Sequence, residues 1–417
     1  MTELGRDDGG RSPAPQLDTF LCKVASRCNL DCDYCYMYHH ADQSWRRRPH
    51  FMSDEVVAAF AQGLFTYAAR VGLTHATVLL HGGEPLLAGE GRITHFVASI
   101  RAAMAAMPSC KLEFAMQTNG VLLTPHWLET LDGLGVSFGV SLDGDRAAND
   151  RHRRGYHGES SYAGVATALH LIASSSHRHL FRGLLAVMDV RNDPLSTYRE
   201  LASWEPPRLD FLFPDGTHEN PPPGLRGGGG RTCDSTPYAE WLIPIFDEWF
   251  KSPGQTRVRL FENIIDVILG GKSQTEGVGE GHLNLVTIET DGEIEDVDLF
   301  KASHAGASRL GLPGDRPPSV LTTTFEELVA LPMAMERHRL HRGTALSNSC
   351  IECPAVGVCG GGFAAHRWSN ARGFDNPSVY CADLFKLITH IHRAVTSELR
   401  PLLRRGEVRP RSRAARI

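Results

Sequence analysis

The sequence predicts an α/β fold: a partial barrel of parallel strands and helices, followed by a smaller α+β extension. Three observations carry this. Short apolar runs of β type alternate with segments of helical periodicity from Thr19 to about Asp215, the pattern of β/α units around a parallel sheet. Each strand-like run ends in a cluster of Gly, polar and charged residues, which is where an α/β barrel places its active site. The alternation breaks at "NPPPGLRGGGGRTCD", Asn220–Asp234, whose Pro and Gly content cannot continue regular structure.

Taken in order, "TFLCKVA" (Thr19–Ala25) reads as the first strand, followed by a cysteine loop. Ser53–Val71 has apolar residues at helical spacing, with Ser53 as N-cap. "HATVLLHGGEP" is a strand ending in a glycine loop, and "ITHFVASIRAAMAAM" a helix. "KLEFAMQTNG" is a strand, "PHWLETLDGLG" a helix and "VSFGVSLDGD" a strand. "SYAGVATALHLIASS" reads as a helix, and "FRGLLAVMDV" and "PRLDFLFPDG" as two further strands. Tyr238–Leu269 shows long helical periodicity, and "HLNLVTIETDGEIEDVDLFKAS" reads as a hairpin turning at Asp291-Gly292. Ala382–Leu402 closes the chain with a helical pattern. The expected divisions are a disordered N-terminus at 1–17, the barrel at 18–235, bridging helices at 236–280, the extension at 281–400 and a basic tail at 401–417.

At 417 residues, with 42% hydrophobic and 22% charged residues and a formal net charge of −5, the composition is that of a soluble globular protein. No basic excess argues for nucleic acid. The polar, acid-containing start resembles neither a secretory signal nor a transit peptide. Apolar runs such as Ala76–Leu80 and Ile243–Phe250 are too short to span a bilayer. The expectation is a cytoplasmic protein without a nucleic-acid or membrane partner.

Ten cysteines then need a reason, because clustered cysteines in a reducing compartment point to metal rather than disulfides. Cys22, Cys110 and Cys233 are scattered and read as small packed side chains. Cys28, Cys32 and Cys35 form C-x3-C-x2-C directly after the first strand. Structural zinc wants four ligands, and a thiolate borrowed from the far group would leave that group short. A [4Fe–4S] cluster normally has four thiolates; held by three, it leaves one iron open to chelate a small molecule. Cys350, Cys353, Cys359 and Cys381 are four thiolates spaced for a second cluster, with zinc as the alternative.

The first motif, with Tyr34 in the aromatic slot, resembles the radical SAM superfamily. The resemblance implies a partial (β/α)6 barrel of TIM type with S-adenosylmethionine on the open iron. Reductive cleavage to a 5′-deoxyadenosyl radical follows, chemistry that the cofactor carries and the protein orients. It implies that Gly82, Gly83 and Glu84 of "HGGEP" contact the methionine amino group, with Gln117 of "QTNG" near the substrate side. Ser141 and Asp143 of "SLDGD" would reach the ribose and methionine moieties. Arg153, expected ahead of a helix, would face the methionine carboxylate.

The second group resembles the SPASM extension, or its twitch-like short form, of radical SAM peptide-modifying enzymes. Complete versions hold two auxiliary [4Fe–4S] clusters. Here the slot five residues beyond Gly292 is Val297, and the fourth cysteine slot after Cys359 is Phe363. The ligands of the first auxiliary cluster are missing together, so two clusters in total are expected.

"YMYHHADQSWRRRP", "TIETDGEIEDVD", "CGGGFAAHRWS" and "GFDNPSVYCADL" resemble the FxsB-type peptide maturases from about Thr19 to His392. That resemblance implies a ribosomally made precursor peptide as substrate and a crosslink between an aromatic ring and a nearby β-carbon, giving a cyclophane. It also implies an external reductant such as flavodoxin or ferredoxin. The first 18 residues leave no room for a separate leader-binding domain, so the barrel–extension interface is expected to read any leader. Candidate proton acceptors are Asp42, Asp215, Asp291, Asp296 and Asp298, and candidates to line the substrate cavity are His39, His40 and Trp45. The alternatives are a thioether, an ether link or an epimerisation on the same peptide class. Oxidation of the sulfatase-maturase type is another, against which the missing cysteines argue. A non-enzymatic iron–sulfur electron carrier is the last.

Overall fold

The computed structural model describes residues 16–404, except 228, 253–255, 276, 280–283 and 312–315. Most of the expected N-terminal segment and of the basic tail lies outside the described residues. Among the described residues, one sheet contains every strand. The first six strands are β1 (Thr19–Ala25), β2 (His75–Gly82), β3 (Lys111–Thr118), β4 (Val136–Ser141), β5 (Phe181–Val187) and β6 (Arg208–Leu212). Each is parallel to the next, the arrangement that the alternating pattern demands.

The connecting helices are α1 (Asp54–Val71), α2 (Glu90–Met104), α3 (Pro125–Gly133), α4 (Arg146–His152), α5 (Tyr162–Ser174) and α6 (Pro194–Ser203). Ser53 caps α1 by accepting from the Val56 amide, and Gly72 ends it in the left-handed region. The buried stripe of α1 runs Val56, Val57, Phe60, Ala61, Leu64, Tyr67 and Ala68, an i, i+3, i+4, i+7 face against the sheet. Phe60 packs edge-on to Phe20 of β1 at 5.8 Å and stacks with Phe96 of α2 at 6.2 Å. Each fully buried ring of this kind contributes about 1.5–3 kcal/mol by leaving water.

Two segments depart from the expected pattern. The helical stretch 238–269 is divided into α7 (Pro237–Lys251), the two-residue strand β7 (Arg257–Val258) and α8 (Arg259–Ile268). The division lies between Ser252, the C-terminal cap of α7, and Arg257. Residues 149–152, expected ahead of a helix, are the end of α4, and Arg153 is its C-terminal cap.

The expected hairpin is present as β8 (Leu285–Ile288) and β9 (Ile294–Glu295), antiparallel, with Gly292 at φ +84° in the turn. Its first strand lies parallel to β1, so the sheet order is β7-β6-β5-β4-β3-β2-β1-β8-β9. The segment assigned to the extension therefore completes the barrel sheet beside the cysteine loop. The C-terminal helix, Cys381–Arg404, packs on α7, where Asp383 accepts from the Tyr238 and Ala239 amides at 2.8 and 2.9 Å.

Candidate active site

The first three cysteines occupy the loop that leaves β1, and neighbouring strands pin that loop. Cys35 N–H donates to the Cys32 carbonyl at 3.0 Å, and the Asp31 amide donates to the Arg154 carbonyl at 2.7 Å. Asn119, at the end of β3, donates to Asn29 Oδ1 at 2.7 Å. The turn after β2 closes the base of the loop: the Gly83 and Glu84 amides donate to the Ala25 and Arg27 carbonyls, each at 3.0 Å. A Cβ on Gly82 would stand 1.9 Å from the Ala25 carbonyl oxygen, and one on Gly83 2.0 Å from the Tyr38 hydroxyl. Only glycine lets the two loops meet here.

Cys28, Cys32 and Cys35 line a cavity of about 130 Å³ whose other walls include Gly82, Gly83, Gln117, Ser141 and Arg153. Burial, with Glu84 adding to it, pushes the Cys28 thiol up to about 12. Burial likewise pushes Cys35 up to about 12 and raises Cys32. Such thiols stay protonated at neutral pH until a metal displaces the proton. Three half-buried thiols around one open space fit a cluster with a free corner.

Polar groups surround that space. The Tyr34 hydroxyl donates to Asp143 Oδ2 at 2.6 Å and accepts from Arg153 Nη1 at 2.9 Å. Asp143 Oδ1 accepts from the Val187 amide at 3.0 Å. Arg153 is buried, and its Nε finds no partner among the described residues. A buried guanidinium with a spare donor on the cavity wall suits a carboxylate ligand. Gln117 donates to Ser141 Oγ at 2.9 Å. Glu84 stands apart from this cavity lining. It is fully buried, and its carboxylate accepts from Thr118 Oγ1 at 2.8 Å and from the Asn119 and Leu86 amides at 2.7 and 3.1 Å.

Tyr34, Cys35 and Tyr36 also belong to a second cavity of about 230 Å³ walled by Phe211, Phe213, Leu299, Phe363 and Tyr380. This aromatic chamber shares Pro214 and Asp215 with a mouth of about 360 Å³ that includes His40, His152 and Asp189. The path from mouth to chamber to the three cysteines is continuous in its lining residues.

Cys350, Cys353, Cys359 and Cys381 line a fourth cavity, of about 330 Å³. Burial pushes Cys359 up to about 11, and burial with the other three thiols pushes Cys381 up to about 12. Tyr380 and Leu384 face the chamber, while Cys381 and Phe385 face this cavity. The start of the C-terminal helix is thus the partition between the two. Among the described residues no three His, Cys, Asp or Glu side chains are drawn around the position of a single ion; both cysteine groups surround cavities. Val297 packs in a small apolar cluster with Phe300, Ala307, Leu340, Ala364 and Ala365, and Phe363 walls the chamber.

A buried ionic network adjoins the loop. Lys23 Nζ lies 2.9 Å from Glu289 and 3.2 Å from Asp298, Lys301 pairs with Glu289 and Glu295, and Arg48 reaches Asp291, Glu293 and Glu295. Burial works to raise Glu289, but Lys23, Lys301 and Arg48 around it hold its carboxyl well below the usual range. The Tyr36 hydroxyl donates to Asp298 Oδ2 at 2.7 Å, linking chamber and network.

The candidate acids separate accordingly. Asp42 accepts from the Ser44 and Gly306 amides, Asp291 pairs with Arg48, and Asp296 pairs with His341. Asp215 lines the chamber directly, and Asp298 is one hydroxyl removed from it. His40 lines the mouth; His39 pairs with Asp31 at 2.8 Å, and Trp45 packs edge-on to Tyr38 at 4.9 Å. Three residues here lie within the quoted motifs but are not singled out from them in the sequence. His81 lines the first cavity, and His366 lines the chamber with Nε2 at 3.6 Å from Asp215. Arg367 is buried behind the second cysteine group. His81 stands near the end of β2, and His366 and Arg367 in a three-residue helical turn; a single His or Arg there makes no pattern of its own.

Residues 22–184 match the family model described as the Radical SAM superfamily. A serine-type anaerobic sulfatase-maturating enzyme of Bacteroides thetaiotaomicron is 23% identical over 398 residues, covering 91% of this chain and 90% of that protein. A solved structure described as native anSMEcpe with bound AdoMet superposes with a TM-score of 0.74 at 22% identity, covering 91% of this chain and 98% of that one. Streptococcus suis SuiB bound to precursor peptide SuiA superposes with a TM-score of 0.54 at 12% identity, covering 88% and 76%.

Proposed function

We propose that this chain, whose residues 22–184 match the Radical SAM superfamily model, is a radical SAM enzyme that modifies a peptide, joining an aromatic side chain to the β-carbon of a nearby residue. The carrying observation is the chamber of about 230 Å³ with aromatic walls at Phe211, Phe213, Phe363 and Tyr380, in contact with the first cysteine loop through Cys35. It has the size and apolar lining to take an aromatic side chain. When bound, S-adenosylmethionine and its [4Fe–4S] cluster supply a carbon radical that abstracts hydrogen from a C–H bond.

The chain's residues do the rest. Cys28, Cys32 and Cys35 would hold the cluster, and the spare Arg153 donor would take the methionine carboxylate. Tyr34 and Asp143 fix Arg153 from one side, and Ser141, held by Gln117, supplies a polar edge. The chamber excludes water from the reacting side chains. Crosslinking releases one proton and one electron: the Tyr36 hydroxyl accepts the proton while passing its own to Asp298, and the group that the second set of cysteines would hold is the acceptor for the electron. Lys23 beside Asp298 keeps that carboxylate ionised and ready. Cys350, Cys353, Cys359 and Cys381 would hold the auxiliary [4Fe–4S] cluster on the far side of the chamber wall, and an external flavodoxin or ferredoxin would reduce the enzyme.

A second reading is oxidation of a serine or cysteine side chain to an aldehyde, favoured by the similarity to a sulfatase-maturating enzyme along nearly the whole chain. Co-expression with small peptides encoded beside the gene, followed by tandem mass spectrometry and hydrazide labelling, separates the two. A loss of two hydrogens with fragment ions missing inside a ring, and no labelling, is the expected result. A hydrazide-reactive product moves the assignment to aldehyde formation.

A further inference from the structure

Arg367 is among the largest fully buried side chains of the described residues, 1% exposed, at the end of the segment that follows Cys359. Its guanidinium donates to three successive carbonyls: Nε to Gly361 at 3.1 Å, and Nη2 to Gly360 at 3.1 Å and to Gly362 at 2.8 Å. Gly360, Gly361 and Gly362 all lie in the left-handed region, with φ of +60°, +85° and +66°. Those angles turn the carbonyls inward, and glycine adopts them without strain. The remaining nitrogen, Nη1, is buried without a partner.

No carboxylate among the described residues pairs with this cation. Burial pushes the Arg367 guanidinium below its ordinary value, and Cys350 and Cys359 act against that. An isolated buried guanidinium is costly unless a negative charge compensates it. Gly361 and the four cysteines line the same cavity, and four thiolates around a metal centre would supply that charge.

We propose that Arg367 is the built-in counter-cation of the auxiliary centre and sets its reduction potential upward. The proposal rests on reading Cys350, Cys353, Cys359 and Cys381 as ligands of an iron–sulfur cluster. A fixed positive charge in a low-dielectric site favours the state carrying one more electron. That poises the centre behind the chamber wall to take an electron from the substrate side rather than to give one. Arg367 is a positioning residue: it acts through the centre and touches no substrate.

The test uses the full chain carrying Cys28→Ala, Cys32→Ala and Cys35→Ala, so that only the auxiliary centre remains. Iron, zinc and sulfide are quantified, and the centre is titrated electrochemically with electron paramagnetic resonance as readout. Arg367→Gln is expected to keep about four irons per chain and to disfavour reduction at least tenfold, about 59 mV for one electron. Arg367→Lys, which keeps the charge but not the three-carbonyl fork, is expected to stay within about threefold of the parent, under 30 mV on the same scale. Arg231→Gln removes an exposed cation from the same cavity rim and should shift less, because water screens it.

An unchanged midpoint in Arg367→Gln overturns the proposal while leaving the cluster reading intact. If Arg367→Gln loads no iron, Arg367→Lys decides: a loaded centre at the parent potential supports the charge. A shifted or empty centre in that variant shows that the fork alone matters and sinks the idea. One zinc per chain in place of iron overturns the cluster reading and the proposal together.

Discussion

Glu84 accepts one hydrogen bond from a hydroxyl and two from backbone amides, all inside the protein, although its motif marks it as a ligand contact. Burial raises its pKa, and the three donors partly offset that. The side chain therefore locks the end of β3 to the turn after β2, and Asn119, whose amide it receives, in turn holds the cysteine loop through Asn29. Glu84→Gln should lose about 1.5–3 kcal/mol of stability, the range for hydrogen bonds to a charged group. Affinity for S-adenosylmethionine should change by less than about threefold, under 1 kcal/mol. Thermal melting and equilibrium dialysis on the same preparation check this; a tenfold weaker affinity with an unchanged melting temperature would show a direct ligand contact instead. Glu84, Gly82 and Gly83 are singled out in the sequence through the resemblance of "HGGEP", at the end of the second strand, to the family motif. Which way the carboxylate turns depends on β3, a strand about thirty residues further along the chain.

At the scale of elements, the hairpin β8–β9 is held against β1 by charge as well as by strand pairing. Lys23, Arg48 and Lys301 neutralise Glu289, Glu295 and Asp298 in the interior. Removing one partner of a buried pair strands the other, so Lys23→Met should destabilise the fold by about 3–5 kcal/mol. The pH dependence has a definite sign. Glu289 and Asp298 are both held below their ordinary values, by Lys23 and its neighbours acting against burial. Their contribution is complete above the unfolded carboxylate range, about 4, and is lost as pH falls through the depressed folded values. The melting temperature of the parent should drop steeply below about pH 4–5, and Lys23→Met should flatten that drop. Equal slopes for parent and variant would refute the assignment. In the sequence the acids of "TIETDGEIEDVD" read as part of a hairpin, with Asp291, Asp296 and Asp298 as candidate proton acceptors. Only their pairing with Lys23, Arg48 and Lys301 shows why they are inside. The triple glycine after Cys359 is similar: the sequence shows it only as part of "CGGGFAAHRWS", and that its carbonyls receive Arg367 appears only in the folded chain.

On the scale of the whole molecule, two cysteine groups lie on opposite sides of one aromatic chamber, and no described helix is long and apolar enough to cross a membrane. Anaerobically reconstituted enzyme should contain about eight irons per chain, four for each cubane. Replacing Cys350, Cys353 and Cys359 by Ala should leave about four irons and preserve deoxyadenosine formation, while peptide product falls at least tenfold, about 1.4 kcal/mol or more of barrier. Inductively coupled plasma analysis and chromatography of the products measure both. Product formation at the parent rate in that variant would show that the second group has no part in the reaction.

The order of β/α units, the hairpin turn and both cysteine groups were legible in the amino-acid sequence. Period-2 and period-3.6 patterns and short ligand spacings are local properties, written within a few residues of one another. The tertiary structure alone decided that β8 joins the sheet beside β1 and that Phe363, already a non-ligand by sequence, walls a chamber. It also turned Glu84 inward and buried Arg367 without a carboxylate. Each of these depends on residues tens to hundreds of positions apart meeting in one place, and local patterning carries no record of such meetings.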